Sequence, residues 1–412
     1  MMEYGLIGER LGHSYSPPIH RVFGDYDYQL YPMPREELIR VLKERKFQGL
    51  NITIPYKKDV LPYCDEISPV VEKVGSANTL YFRDGKLCAD NTDLPGFLFM
   101  LEKGGISLQG KKVIILGSGG TSLTAQAACR EEKAQEYIVV SRSGPVNYDA
   151  LYHQHTDGEV IINTTPVGMY PGNLESPVDL AAFPRLSGVA DVIYNPARTA
   201  LLMKAKEMGI PCIDGLWMLV AQAWHAARHF LQAEIPEKKI GQAYRAVRRE
   251  CMNLVLVGMP GCGKSTLGRK MAEKLRRTFV DIDAEIEKEA GPIPAIFAKQ
   301  GEEAFRDIES RVIARFGKES GLVIATGGGA VLREENIRAL HQNGVVAWVK
   351  RPRELLSTAG RPLSKDAAAL AAMEKIRMPL YQACADYIVE NEGALSQAVK
   401  CMEEGFYEAA GH

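Results

Sequence analysis

No stretch of this chain approaches the roughly twenty consecutive apolar residues that a membrane-spanning helix needs. The opening residues, Met1-Met2-Glu3-Tyr4-Gly5, have neither a basic n-region nor an apolar h-region, so no signal peptide is expected. Charge bias is lacking too. Fifty Lys and Arg stand against 51 Asp and Glu, and a formal net charge of −1 supplies no field to attract nucleic acid. Cysteine is sparse and unpatterned. The eight (Cys64, Cys88, Cys129, Cys212, Cys251, Cys262, Cys384, Cys401) include no C-x-x-C pair. That speaks against a zinc cluster or a disulfide framework and makes a reducing cytoplasm the expected compartment. Internal repeats and Gly/Ser/Pro-rich linkers are also missing. At 412 residues the chain exceeds the ceiling of about 250–300 for one core, so two or more domains are expected.

What is present begins with Leu254–Val257, a short apolar run that reads as a buried strand. Gly258, Gly263, Lys264 and Ser265 after it fit G-x-x-x-x-G-K-[ST]. Leu267, Met271 and Leu275, four apart, then predict a helix. Strand, loop and helix together are the setting a P-loop requires. Glycines at 258, 261 and 263 let backbone N–H groups curl inward around phosphate oxygens, and the helix dipole adds to the attraction. Gly261, Cys262, Gly263, Lys264, Ser265 and Thr266 are the expected triphosphate contacts. Lys264 reaches the terminal phosphates, and the Ser265 hydroxyl is a Mg²⁺ ligand.

Before this point the sequence holds two further patterns. Tyr4–Ile7 predicts a strand running into a loop with Ser14 and Ser16, which alone read as turn residues. In Leu50-Asn-Ile-Thr-Ile54 the apolar residues alternate with Asn51 and Thr53, predicting a strand with Leu50, Ile52 and Ile54 on the core side. Pro55 ends it and Lys57 follows. Asn78 and Asp93 belong to a second polar cluster, where Asp93 alone reads as a helix cap. From residue 110 come continuous apolar runs, Val113–Leu116, Tyr137–Val140, Val160–Ile162 and Val189–Ile193, as a parallel sheet covered on both faces requires. The first leads into Gly117-Ser118-Gly119-Gly120-Thr-Ser122, close to the dinucleotide loop G-x-G-x-x-G/A. The second ends at Ser141-Arg142-Ser143. An arginine there suits the 2′-phosphate of NADP, or is a solvated turn residue. His225 and His229 lack the Glu of an HExxH site and read as helix-surface histidines.

His13-Ser-Tyr-Ser-Pro17, Asn51-Ile-Thr-Ile-Pro-Tyr-Lys57, Ala77-Asn-Thr79, Asn91-Thr-Asp93, Gly117-Ser-Gly-Gly120, Ser141-Arg-Ser143, Asn163-Thr-Thr-Pro-Val-Gly-Met169, Tyr194-Asn-Pro-Ala-Arg-Thr199 and Met218-Leu-Val-Ala-Gln222 together resemble shikimate dehydrogenase over roughly residues 1–245. The resemblance implies reduction of 3-dehydroshikimate to shikimate with NADPH. It makes Lys57 and Asp93 the catalytic pair. It gives the substrate carboxylate to Ser14, Ser16 and Tyr194, and the ring hydroxyls to Thr53, Asn78 and Gln222. NADP contacts would be Gly117, Ser118, Gly119, Gly120, Ser141, Arg142, Ser143, Thr164, Met169 and Gly215. Trp217 stands where the family usually has glycine, a departure expected to alter packing against the nicotinamide and so the rate more than the reaction type.

Beyond the P-loop, Thr278–Ile282 predicts a strand, with Asp281 and Asp283 sharing a face toward the phosphates. A helical stretch carries Arg306, a strand ends in Thr326-Gly-Gly-Gly329, and Gly360-Arg361-Pro-Leu363 and Arg377-Met-Pro-Leu-Tyr381 follow. In this order the pieces resemble shikimate kinase over roughly 252–412. The resemblance implies phosphorylation of shikimate by ATP. Asp283 would take the hydroxyl proton, Arg306 and Arg377 would hold the carboxylate, and Gly328 would offer its N–H. Lys264 and Arg361 would steady the phosphoryl group, and Ser265 with Asp281 would hold Mg²⁺.

The expected fold is α/β throughout: a substrate-binding domain at 1–96 with returning helices at 216–247, a Rossmann-like NADP domain at 97–215, and a P-loop kinase domain with a parallel sheet at 252–412. A short linker is expected near 246–252. The expected activity is bifunctional, with shikimate passing from the first reaction to the second. The alternative is a quinate/shikimate dehydrogenase preferring NAD, fused to a kinase for a related polyol acid.

Overall fold

The computed structural model describes residues 2–12, 14–356 and 367–411. His13 and Arg361 therefore lie outside the described residues. The chain divides into two compact units, Met1–Tyr194 with Thr199–Val247, and Asn195–Arg198 with Arg248–His412.

The first unit contains two sheets. One has six strands in the order Tyr28–Pro32, Tyr4–Gly8, Gly49–Ile52, Thr79–Arg83, Lys86–Asp90 and Glu66–Ile67. Its first three strands are parallel, and the Thr79–Arg83/Lys86–Asp90 hairpin joins them antiparallel. The other sheet is wholly parallel, in the order Cys212–Ile213, Gly188–Asp191, Val160–Asn163, Lys112–Leu116 and Glu136–Val140. Its central strands are buried along almost their whole length, which is why they read as unbroken apolar runs. Order reverses around Lys112–Leu116, the usual position of a nucleotide crevice.

Two helices, Asp93–Lys103 and Leu216–Leu231, pack closely because Gly96 has no side chain. A Cβ there would lie 2.9 Å from the Gln222 nitrogen and 3.0 Å from the Met218 carbonyl oxygen. The expected division at 96/97 falls inside the first of these helices. The second also reaches the six-stranded sheet, where Phe230 fills the space a Cβ on Gly49 would need.

The second unit is built on a parallel sheet in the order Phe279–Asp281, Val323–Ala325, Asn253–Val257, Gly344–Lys350 and Tyr387–Glu390. The strand that feeds the P-loop is central and buried at every position. Residues Asn195–Arg198 belong to this unit. The Ala197 nitrogen donates to Asn343 Oδ1 (2.7 Å), and Arg198 Nη1 donates to the carbonyls of His341 and Gly344 (2.9 and 3.0 Å).

Two expectations are corrected. The strand at Gly49 stops at Ile52, and Ile54 is 72% exposed instead of in the core. Pro55 cannot donate a ladder hydrogen bond, so the strand cannot be paired through it. Asp281 and Asp283 do not share a strand face. The strand ends at Asp281, which caps the helix Ile282–Ala290, and Asp283 lies in that helix's first turn. The boundary expected near 246–252 agrees with the division at Val247/Arg248, and the chain there is helix through Cys251. In Lys238–Cys251, the buried residues Ile240, Ala243, Tyr244 and Val247 recur at helical spacing, and the division between units falls within it. Trp217 stacks on Tyr244 (centroids 4.0 Å apart, planes at 10°) and leans on Phe99, so its ring is taken up by helix packing.

Candidate active sites

The early turn after Ile52 sets the first site. Lys57 lies in that turn and donates to Asp93 Oδ2 at 2.5 Å. The other Asp93 oxygen accepts from Asn78 Nδ2 at 3.0 Å. Asp93 is thus gripped from two sides and does not cap its helix. Asn91 does so instead, its Oδ1 accepting from the nitrogens of Asp93 and Leu94. Asn78 is buried and fixed in turn, its Oδ1 accepting from the Thr92 nitrogen at 2.7 Å. Behind it Tyr28 Oη donates to Asn51 Oδ1, and Asn51 Nδ2 donates to the Asn78 carbonyl. Lys57 keeps two N–H donors beyond the one that meets Asp93.

The other predicted substrate residues of this unit have contacts of their own. Thr53 packs its methyl against Gly8, where a Cβ would come within 2.7 Å of it. Gln222 lies against Gly96, one helical turn from Asp93. Ser14 Oγ accepts from the Ser16 nitrogen and donates to Ser16 Oγ (both 3.2 Å) at the start of the helix Ser16–Phe23. Tyr194 reaches the same loop, its ring 5.9 Å from that of Tyr15.

In the parallel sheet, Gly117 turns with φ of 105°, and a Cβ there would press on Thr164 Oγ1 at 2.8 Å. Thr164 is itself fixed by donating to the Leu116 carbonyl. Gly119 and Gly120, at the start of the helix Gly120–Glu131, face open space, and Ser118 is exposed. A phosphate group can approach this backbone, so the loop fits a dinucleotide. Arg142 and Ser143 are exposed, Ser141 is buried, and Arg142 has no acidic partner among the described residues. Met169 is 45% exposed. Gly215 is required, since a Cβ there would fall 2.0 Å from the Val192 carbonyl oxygen.

Sequence reasoning missed Asp191. It is fully buried at the end of its strand. Its Oδ1 accepts from Asn163 Nδ2 and the Ile193 nitrogen (both 3.1 Å), and its Oδ2 accepts from Thr199 Oγ1 (2.8 Å). One carboxyl thus ties the loop from Asn163 to the segment before Tyr194. A lone acid inside the apolar run Val189–Ile193 was the signal available. The histidines are also less ordinary than expected. His229 Nε2 pairs with Asp90 Oδ2 at 2.7 Å and its ring stacks on Tyr81. Burial pushes His225 down to about 4.

The second site is a cavity of about 520 Å³ lined by Lys264, Asp281, Asp283, Arg306, Gly328 and Arg377, among others. Gly258, Gly261 and Gly263 have φ of 144°, 83° and 102°, the left-handed region that a P-loop curl demands. Lys264 is nearly buried and donates to the carbonyls of Gly258 (2.8 Å) and Met259 (3.0 Å). Ser265 Oγ donates to Asp281 Oδ2 at 2.7 Å, which places two hard oxygen ligands together. At the triple glycine, a Cβ on Gly327 would strike Asp283 Oδ1 and Glu309 Oε1, and one on Gly329 would strike the Arg306 guanidinium. Arg306 is locked between Glu309 Oε2 (2.7 Å) and Glu302 Oε1 (3.0 Å). Glu309 is fully buried, and burial raises its carboxyl above the usual range against the pull of Arg306. Its place three residues after Arg306 was the available signal. Tyr381 Oη donates to the Gly328 carbonyl.

Two family models match the chain: "Shikimate dehydrogenase substrate binding domain" over residues 6–80 and "Shikimate kinase" over residues 260–404. A shikimate dehydrogenase (NADP(+)) of Clostridium perfringens is 35% identical over 243 residues, covering 54% of this chain and 89% of the relative. Among solved structures, a chorismate mutase/shikimate 5-dehydrogenase fusion from Clostridium acetobutylicum matches with a TM-score of 0.57 and 36% identity, covering 60% of this chain and 96% of its own. A Thermus thermophilus shikimate 5-dehydrogenase in complex with NADP(H) and shikimate matches with a TM-score of 0.53 and 29% identity, covering 60% and 99%.

Burial pushes Asp191 up to about 7, while its three donors pull the other way. From about pH 4 to 7 the folded chain holds this proton more tightly than the unfolded chain does. The stabilisation is therefore fully present below the ordinary carboxyl range and is lost as pH rises to about 7. Asp191→Asn should remove this slope. In denaturant titrations its stability relative to wild type should rise across that window by up to about 4 kcal/mol. Parallel profiles for the two proteins would contradict this.

Proposed function

Because the chain belongs to the shikimate dehydrogenase family and carries a shikimate kinase domain, which makes it a bifunctional shikimate-pathway enzyme, we propose that it reduces 3-dehydroshikimate with NADPH and then phosphorylates the shikimate with ATP. The observation that carries the first reaction is the Lys57–Asp93–Asn78 chain. NADPH, held at the Gly117–Gly120 loop with its 2′-phosphate on Arg142, supplies the hydride. Ser14, Ser16 and Tyr194 hold the substrate carboxylate, and Thr53, Asn78 and Gln222 hold ring hydroxyls. Met169 and Thr164 border the nicotinamide side. As negative charge builds on the reacting oxygen, Lys57 donates a proton to it. Asp93 has both oxygens engaged and acts by holding the Lys57 ammonium in place.

In the second site, Arg306 and Arg377 clamp the shikimate carboxylate, as a guanidinium fork does well. The Gly328 N–H and Asp283 orient the ring, and Asp283 accepts the proton of the attacking hydroxyl. The P-loop amides from Gly261 to Thr266 and the Lys264 ammonium hold the phosphates, joined by Arg361. Ser265 and Asp281 fit a hard divalent cation by their chemistry and their 2.7 Å spacing, and Mg²⁺ bound there neutralises phosphate charge. Glu309 is a positioning residue for Arg306.

Lys57→Ala should lower the reduction rate by about 10²–10⁴-fold while phosphorylation stays near wild type, and Asp283→Asn should do the reverse. Assaying each half-reaction on both variants checks this, and equal loss of both activities would defeat a two-site enzyme. Arg142→Ala should raise the Michaelis constant for NADPH roughly ten- to hundredfold, the loss of one charge-assisted contact, and leave that for NADH within about twofold. An equal effect on both cofactors would remove the 2′-phosphate contact and favour NAD use.

A further inference from the structure

Three cations, Lys350, Arg351 and Arg353, end or follow the strand Gly344–Lys350, and they differ in how they are satisfied. Lys350 pairs with Glu390 at 2.9 Å, and Arg353 pairs with Glu374 at 2.5 Å. Arg351, between them, makes no hydrogen bond or ion pair with any described residue. It is half-buried, its Nε is shut off from solvent, and it lines the phosphate cavity. A guanidinium carries five N–H donors and no acceptor, so a buried one needs an acceptor facing it.

Its place on the P-loop is specific. Arg351 Nη1 lies 4.0 Å from the point a Cβ on Gly263 would occupy. Asn391 closes the same side, with its Nδ2 donating to the Cys262 carbonyl at 2.8 Å. Lys264 sits at the other end of the loop, on the carbonyls of Gly258 and Met259. The loop therefore lies between two cations. Donors converge on this space from the backbone, from Lys264 and from Arg351. The chemistry that satisfies all of them is a chain of phosphate oxygens.

We propose that Arg351 is a nucleotide-binding residue that contacts the inner phosphates of the nucleoside triphosphate beside Gly263, while Lys264 serves the terminal ones. This rests on the kinase reading of the second site. Both side chains then act on one polyphosphate from opposite ends. A contact to the inner phosphates is shared by the nucleoside diphosphate and the triphosphate, so it governs nucleotide affinity more than turnover.

The test is titration calorimetry of ADP and ATP binding to the full-length chain, with steady-state kinase kinetics, for wild type, Arg351→Ala and Arg351→Lys. Arg351→Ala should weaken ADP and ATP alike by roughly ten- to hundredfold. Its Michaelis constant for ATP should rise correspondingly, with a smaller change in kcat and less than about a twofold change in the constant for shikimate. Arg351→Lys keeps the aliphatic stem and a point charge without the fork. It should recover part of the affinity, and it carries the test if the alanine variant does not fold. Binding of both nucleotides within about twofold of wild type would overturn the proposal. A loss confined to ATP would overturn the inner-phosphate placement. Wild type that binds neither nucleotide would refute the kinase reading itself, a result distinct from any behaviour of the variants.

Discussion

A parallel strand buried on both faces must leave its sheet at the C-terminal edge and enter a helix within a few residues. That constraint generates both nucleotide loops of this protein. Leu116 leads through Gly117–Gly119 into a helix at Gly120, and Val257 leads through Gly258–Gly263 into one at Lys264. In each case the turn needs backbone at positive φ, and in each case the strand lies where strand order reverses. Glycine supplies the conformation and exposes N–H groups, and those groups with the helix dipole make an anion site. In the second unit, Asp283, Arg306 and Arg377 line one cavity with its loop.

Those side chains share a second feature. Almost every buried charge near a reacting position is held by another group whose own partners are fixed. Asp93 is gripped by Lys57 and Asn78, and Arg306 by Glu309 and Glu302. Asp191 joins the segments carrying Asn163 and Thr199. Taking charges out of water is costly, and such pairs offset the cost only when their geometry is fixed. The same fixed geometry orients a catalytic group before substrate arrives. Glycines at 96, 327 and 329 belong to this design, since any side chain there would displace Gln222, Asp283 or Arg306.

The parallel sheet of the first unit was legible because burial leaves unbroken apolar runs, which became the buried strands Lys112–Leu116, Val160–Asn163 and Gly188–Asp191, while the run Tyr137–Val140 became a partly exposed edge strand. The P-loop was legible because its spacing is a steric requirement. Asp281 and Asp283 both line the P-loop cavity, but from a strand end and a helix's first turn, not from one strand face. Period-two reasoning cannot see that a carboxylate at the end of a strand will cap a helix instead of extending the strand. Ile54 failed because Pro55 has no N–H for the ladder, so pairing ends before the alternation does. Asp191, Glu309 and Arg351 carry no motif. Their meaning lies in what surrounds them in space, and a sequence does not display that.

The proposed function makes a direct claim: the product of the first site is the substrate of the second. The decisive measurement supplies purified protein with 3-dehydroshikimate, NADPH and Mg-ATP, and follows NADPH, ADP and shikimate 3-phosphate together. The account predicts that NADPH is consumed, ADP appears in equal amount at completion, and shikimate 3-phosphate accumulates. Oxidation of NADPH with shikimate left unphosphorylated, or no oxidation at all, would contradict it.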